Sequence, residues 1–164
     1  VGSGFEDMFF RGRSSRSLGP EGRIMLPPEY RESLAARGLK KEDGSASPRF
    51  MVTTYDGCLV AYPWADWIEL EEKYARLPNP SPAVRAFRRL FIGGAEEQEP
   101  DAQGRIRLSQ DHREYAGIER EAVIMGLVNR FEIWNPARLK ASLDEQKLED
   151  VTGELAASGI DFAL

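Results

Sequence analysis

Arginine recurs in two copies of one short motif, and a guanidinium group can bind phosphate or the edge of guanine. Gly22-Arg23-Ile24 in the first half of the sequence corresponds to Gly104-Arg105-Ile106 in the second half, 82 residues later. Glycine permits a left-handed backbone in the turn before each strand, so we expect the next residue to project from the rim of a sheet. Two arginines displayed in this way would form a surface that binds an anion.

A basic segment precedes the first copy of the motif. From residue 8 to residue 31 five arginines face two glutamates, which gives a local charge of +3. A local excess of arginine favours a partner rich in phosphate. We therefore predict contacts to phosphate or to a guanine edge by Arg11, Arg13, Arg16, Arg23, Arg105 and Arg107, with Gly22, Gly104 and Asp101 as structural residues of the motif.

A structural role is the alternative for the arginines. Asp101 lies four residues before Arg105 and could bridge to it across the turn, so Arg105 would partly hold the fold together. The arginines at 85, 88 and 89 have helical spacing, which is typical of a solvated helix face.

The sequence contains no recognisable catalytic set. His112 is the only histidine, which cannot by itself supply a metal site, and Cys58 has no evident histidine partner. We expect Cys58 to be a small core residue and His112 to be a surface or half-buried structural residue. We therefore predict no enzyme activity, no metal, no cofactor and no small-molecule substrate.

The composition is typical of a globular protein, with 41% hydrophobic and 30% charged residues. No apolar run approaches the ~20 residues that span a bilayer, and a single cysteine is typical of a reducing compartment. We therefore expect no signal peptide, no membrane association and a location in the cytoplasm.

The net charge of -5 is concentrated at the end of the sequence. From Asp144 to Leu164 there are six acidic residues and one lysine, so the remaining residues are neutral overall. We expect weak order over the last fifteen residues. An acidic tail of this kind would screen non-specific DNA binding or dock on a basic face of a neighbour.

The repeat predicts two similar halves, each with a strand, a short helix and a hairpin. The first hairpin turns at Asp56-Gly57 and the second around Asn129. The predicted divisions follow the chain: a leader or tag remnant (1–7), a first repeat (8–62), a helical connector (63–94), a second repeat (95–134), and a C-terminal helix with the acidic tail (135–164).

Four segments together resemble the MraZ family of bacterial transcriptional regulators, in the family's order and over residues 8 to about 148. They read MFFRGRSSRSLGPEGRIMLPPEYRESL, DGCLVAYPWADW, PDAQGRIRLSQDHREYAGI and FEIWNPARL. The resemblance implies an α+β fold, in which two AbrB-like swapped-hairpin halves form a β-barrel core decorated by helices. It also implies a ring of identical subunits that binds direct repeats in promoter DNA.

The resemblance further implies a repressor of the division and cell-wall gene cluster that includes its own gene, acting in the cytoplasm on the nucleoid. The family signature is Asp-x-x-x-Arg in each half, with the arginine assigned to DNA contact. Asp101 and Arg105 match it, but Gly19 stands where the first copy needs aspartate before Arg23. The alternative is an AbrB-type protein-interaction module, antitoxin-like or scaffolding, without operator binding.

Overall fold

The structure is a computed structural model that describes residues 9–161. The expected leader at 1–7 lies outside the described residues. A short 3-10 turn at Pro20–Gly22 precedes the first motif strand. The strands and helices follow one another as β1 (Arg13–Ser17), β2 (Arg23–Met25), α1 (Pro28–Ala36), β3 (Phe50–Tyr55), β4 (Cys58–Pro63), α2 (Trp64–Ala75), α3 (Pro82–Phe91), β5 (Glu96–Gln98), β6 (Arg105–Arg107), α4 (Gln110–Ala116), β7 (Glu121–Gly126), β8 (Phe131–Trp134), α5 (Pro136–Asp144) and α6 (Val151–Ala157).

Six of the strands form one antiparallel sheet in the order β1-β7-β8-β4-β3-β5. This order reads the same from both ends when the two halves are exchanged, because β1 corresponds to β5, β7 to β3, and β8 to β4. The two hairpins meet in the middle, where Val60 lies opposite Glu132. Each half places its first strand beside the hairpin of the other half. The halves are therefore interlocked rather than merely adjacent.

The two motif strands, β2 and β6, form a separate two-stranded sheet, called the ribbon below. Ile24 lies opposite Ile106 at its centre. Matching hydrogen bonds flank this pair: the amide of Leu26 donates to the carbonyl of Gly104 at 2.8 Å, and the amide of Leu108 donates to the carbonyl of Gly22 at 2.9 Å. The ribbon thus has an approximate two-fold axis through its centre.

One apolar core joins the ribbon to the six-stranded sheet. Its centre is a group of aromatic rings whose centroids lie 4.9–5.6 Å apart, formed by Phe10, Tyr30, Phe50 and Phe131. Ile24 and Ile106 belong to the same core. Each buried aliphatic side chain contributes about 1.5–3 kcal/mol, so burial of the inner face fixes the position of the ribbon.

Helices cover the opposite face of the large sheet. Trp67 of α2 and Phe91 of α3 pack with Met51 of β3 in a second apolar cluster. Cys58 packs with Trp134 in a third cluster, which confirms its predicted place in the core. Burial raises the pKa of the Cys58 thiol far above its ordinary value.

The structure confirms the α+β class, the antiparallel hairpins and the two-half layout. It shows a six-stranded sheet with β1 and β5 at its two edges, and the strands of residues 9–161 do not close into a hydrogen-bonded barrel. The edge strands β1 and β5 were not predicted. The expected weak order after residue 149 is wrong for Val151–Ala157, which form helix α6 with no buried residue. No helix between residues 9 and 161 has the length and apolar character needed to cross a bilayer.

Candidate nucleic-acid interface

The ribbon displays side chains from both copies of the motif on one face. Successive side chains of a strand point to opposite sides, so the buried isoleucines face the core while their neighbours face solvent. Arg23 lies opposite Arg107, and Met25 lies opposite Arg105, and all four residues are exposed. The two motifs, distant in sequence, therefore contribute to a single surface.

The turns before the two strands share one backbone geometry. Gly22 has φ +84° and Gly104 has φ +85°, as predicted for glycine at this point. The amide of Gly19 donates to the carbonyl of Arg23 at 2.7 Å, and the amide of Asp101 donates to the carbonyl of Arg105 at 3.0 Å. The first turn thus keeps the hydrogen-bonded frame of the second turn without an aspartate.

Asp101 holds the second turn and its arginine together. One carboxylate oxygen accepts hydrogen bonds from the amides of Gln103 and Arg105, both at 2.9 Å, and the other accepts from Arg105 Nε at 2.9 Å. These bonds, led by the Arg105 amide, hold the pKa of Asp101 below its ordinary value. The predicted bridge between Asp101 and Arg105 is confirmed, so Arg105 is partly a structural residue.

Arg23 has no equivalent tether. Gly19 offers no carboxylate, and within the described part of the chain the Arg23 guanidinium makes no hydrogen bond or ion pair. It faces Arg107 across the two strands, and like charges directly opposite one another repel. A bound anion between them would remove that repulsion, so this end of the ribbon is the strongest candidate for phosphate contact.

The Arg107 guanidinium is partly paired with Glu21. Its Nε donates to the Glu21 carbonyl at 3.1 Å, and its Nη1 lies 3.9 Å from the Glu21 carboxylate. Both side chains remain more than half exposed, so this ion pair stabilises the fold little. A shallow depression of about 390 Å³ lies beside the ribbon, lined by the three ribbon arginines together with Gln98, Glu99, Asp101 and Ile106.

The other three predicted arginines differ in their contacts with the ribbon. Arg16 Nε donates to the carbonyl of Met25 at 2.8 Å and so ties β1 to the ribbon. Arg11 and Arg13 are exposed, but no hydrogen bond or ion pair among residues 9–161 joins their side chains to the ribbon. Arg13 and Arg16 also lie on opposite faces of β1. The structure therefore places Arg23, Arg105 and Arg107 on the ribbon and joins Arg16 to it through the Met25 carbonyl, whereas Arg11 and Arg13 make no such bond among the described residues.

Two further arginines brace the ribbon and were not predicted as site residues. Arg31 Nε of α1 donates to the carbonyl of Asp101 at 3.2 Å, and Arg113 Nε of α4 donates to the carbonyl of Leu108 at 3.2 Å. The two occupy matching positions of the repeat. Their duplication was the signal that could have identified them.

His112 is a fully structural residue. It is 1% exposed, and its Nε2 lies 2.6 Å from the carbonyl of Gly94 and 3.2 Å from a Glu96 carboxylate oxygen. The expected surface or half-buried position is therefore wrong, because α4 packs this side against the sheet. Between residues 9 and 161, no three histidine, cysteine or acidic side chains are grouped to hold a metal ion.

Comparison with known proteins gives a family match to both halves of the chain. The model of the family described as "MraZ protein" matches residues 9–90 and again 91–157, and the description adds, provisionally, that the family is antitoxin-like. A protein named "Transcriptional regulator MraZ" from Nitratidesulfovibrio vulgaris strain Hildenborough is 52% identical over 155 residues, covering 94% of this chain and 99% of the relative.

Other relatives carry the same name. The protein from Oleidesulfovibrio alaskensis is 52% identical over 157 residues, which cover 96% of this chain and 100% of the relative. The protein from Saccharopolyspora erythraea is 38% identical over 138 residues, covering 84% of this chain and 89% of its own.

Proposed function

Since the chain belongs to the MraZ family, whose relatives above are named transcriptional regulators, we propose that it is a sequence-specific DNA-binding transcriptional regulator. The proposal includes no enzyme activity, no cofactor and no small-molecule substrate. Double-stranded DNA and further copies of the chain are the proposed partners, and the cytoplasm, on the nucleoid, is the proposed location.

The observation that supports DNA binding best is the arginine face of the ribbon. Arg23, Arg105 and Arg107 project together from a two-stranded antiparallel unit. The major groove of B-DNA, about 12 Å wide, admits a two-stranded ribbon. Contacts to phosphate would supply most of the affinity and contacts to base edges the selectivity. Arg16 contributes charge beside the ribbon, and Arg11 and Arg13 extend the basic surface from the segment before β2.

Self-assembly follows from the small number of charges on one subunit. Three ribbon arginines neutralise too few phosphates for tight binding at physiological salt. Several copies in a ring, each on one direct repeat, would gain affinity from multivalency. Head-to-tail contacts between copies suit direct rather than inverted repeats.

The finer biological role comes from the resemblance described above. We propose that the chain represses the division and cell-wall gene cluster that includes its own gene. We also propose that the two sheets form the AbrB-like barrel core, because both contribute to one apolar cluster. The boundaries at 8–62, 63–94, 95–134 and 135–164 remain part of this proposal.

Arg23→Ala is the decisive variant for the DNA site. Because Arg23 is exposed and makes no internal hydrogen bond or ion pair among the described residues, its removal should leave the fold intact. We expect affinity for the DNA upstream of the chain's own reading frame to fall by about tenfold or more, and the slope of log affinity against log salt to decrease by about 1. Fluorescence anisotropy at several salt concentrations measures both quantities.

Arg89→Ala is the matched control. Arg89 of α3 is also exposed and, in the described residues, also lacks a hydrogen bond or ion pair, but it lies outside the ribbon. It should leave affinity and salt slope unchanged. Equal binding by wild type and Arg23→Ala at constant salt would disprove the assignment. Binding of an acidic protein that promoter DNA cannot displace would instead favour the AbrB-type interaction module.

A further inference from the structure

The ribbon is nearly symmetric in its backbone but not in its side chains. The repeat relates Arg23 to Arg105, and it relates Met25 to Arg107. Rotation about the two-fold axis at the centre of the ribbon would therefore exchange an arginine with an arginine at one pair of positions. At the other pair it would exchange a methionine with an arginine. One outward position of the first half is thus apolar where the second half is cationic.

The two ends of the ribbon consequently differ in the side chains that they present to solvent. Arg23 and Arg107 face one another at the first end, and the Glu21 carboxylate lies 3.9 Å from Arg107. The first end therefore presents two arginines.

The second end presents one outward arginine instead of two. It holds Met25 and Arg105, and the carboxylate of Asp101 lies 2.9 Å from Arg105 Nε. Arg16 Nε donates to the Met25 carbonyl at 2.8 Å at this end, and Arg31 Nε donates to the Asp101 carbonyl at 3.2 Å. The two-fold relation of the backbone therefore does not extend to the surface that a ligand meets.

Met25 is held in place by its backbone while its side chain faces solvent. Met25 is 45% exposed, and its carbonyl accepts the hydrogen bond from Arg16 Nε at 2.8 Å. Single exposed apolar residues are common on protein surfaces. This one stands between arginines on the candidate DNA face, and the flexible thioether of methionine adapts well to an apolar contact.

We propose that Met25 is a specificity-determining residue that contacts the 5-methyl group of a thymine, and that the unequal ends of the ribbon make it bind each DNA repeat in one orientation. The inference rests on the proposed DNA-binding function. The thymine methyl is the apolar group that base pairs present in the major groove. The end with two outward arginines would meet phosphate or guanine, and the end with Met25 would meet thymine.

Replacement of thymine by uracil tests the contact, because uracil lacks only the methyl group. The probe is a duplex carrying the repeat that wild-type protein footprints upstream of its own reading frame, with one thymine replaced at a time. We expect one replacement to weaken wild-type binding about fourfold, which is the effect of removing one buried methyl-sized group. Met25→Leu, which keeps an apolar side chain, should show the same loss.

Met25→Gln is the variant that separates a methyl contact from a general effect. It keeps the length of the side chain but ends in an amide, so the same replacement should cost it nothing. Its thermal unfolding should match wild type, because the position is exposed. Uracil replacements without effect on wild type, or an unchanged loss in Met25→Gln, would overturn the inference.

Orientation is tested with a cleaving reagent on the turn before β6. Cys58 is buried, so an iron–EDTA reagent attached to Ala102→Cys reports from a single exposed position. We expect cleavage on one side of each repeat, and cleavage on both sides when Met25→Arg is added. Cleavage on both sides without Met25→Arg would contradict a fixed orientation.

These results distinguish the inference from the function on which it rests. If Arg23→Ala abolishes the footprint while Met25 variants and uracil change nothing, the inference alone fails. If wild type gives no footprint at all, the proposed function fails and the inference fails with it.

Discussion

At the scale of single residues, the two motif glycines differ in what an added methyl group would meet. A Cβ on Gly22 would lie 2.5 Å from the carbonyl oxygen of Leu108, whereas one on Gly104 would lie 3.6 Å from the carbonyl oxygen of Leu26. Both residues have a positive φ that disfavours any side chain. The first turn therefore tolerates less than the second, although the two sequences look alike.

Gly22→Ala should consequently destabilise the fold more than Gly104→Ala. A left-handed alanine costs about 1–2 kcal/mol, which is the whole effect expected at Gly104. At Gly22 the clash with the backbone adds to it, for a total of about 2–5 kcal/mol. The midpoints of urea unfolding measure the difference. An equal shift for the two variants would mean that the first turn relaxes around the methyl group.

The arginine motif could be predicted from sequence, but its assembly could not. The motif occurs twice, at Arg23 and at Arg105, and Asp101 lies four residues before Arg105. Both features can be recognised in the sequence without knowledge of the fold. The pairing of β2 with β6 joins segments from different halves. No local pattern reveals that Arg23 meets Arg107, or that Arg16 donates to the carbonyl of Met25.

At the scale of elements, the second hairpin carries local strain that the first one avoids. Val128 lies in the β7–β8 turn with φ +73° and is 60% exposed. A β-branched residue in the left-handed region is unusual. At the corresponding point of the first hairpin, Asp56 has φ +56°, which aspartate tolerates much better.

Val128→Asn should therefore stabilise the protein by about 1 kcal/mol, because asparagine tolerates the left-handed region. Little burial is lost at this exposed position, and its backbone hydrogen bonds with Phe10, both 2.8 Å, do not depend on the side chain. Differential scanning calorimetry should show a higher Tm for this variant. Asp56→Asn is the control and should change stability by less than about 0.5 kcal/mol. A lower Tm for Val128→Asn would show that the valine makes a contact which outweighs its strain.

The elements themselves were predictable where the signal is local. The Asp56-Gly57 turn predicted the first hairpin, which the structure confirms. Strands β1 and β5 read RSSRS and EEQ, and neither has apolar periodicity. They become strands because a hairpin of the other half offers them a hydrogen-bonding edge. Helix α6 was likewise not predicted, because the segment around it is rich in acidic residues.

At the scale of the whole molecule, charge is divided between a neutral body and an acidic end. Five acidic residues and one lysine follow Asp144, and no residue of α6 is buried. An acidic segment that is tethered near a basic surface competes with phosphate for it. We therefore expect the tail to limit binding to non-specific DNA.

A chain that ends at Asp144 should bind non-specific duplex several-fold more tightly than the full chain at low salt. The difference should shrink as salt rises, since screening weakens the repulsion between tail and DNA. A full-length chain with Glu145, Glu149, Asp150 and Glu154 changed to amides separates charge from bulk and should behave like the truncation. Filter binding on random-sequence duplex measures all three chains. Unchanged affinity in both variants would end this role for the tail.

The exchange of edge strands between the halves sets the order in which the chain can fold during translation. Ser17 of β1 pairs with Glu121 of β7, so β1 can pair only after the ribosome has synthesised β7 in the second half. The hairpin β3–β4 can form early, but its outer neighbour β5 also belongs to the later half. Until then the ribosome carries a half-built sheet with open edges, which are prone to pair with the wrong strand. The sheet strands of the first half therefore gain their last pairing partners only when the second half has been synthesised.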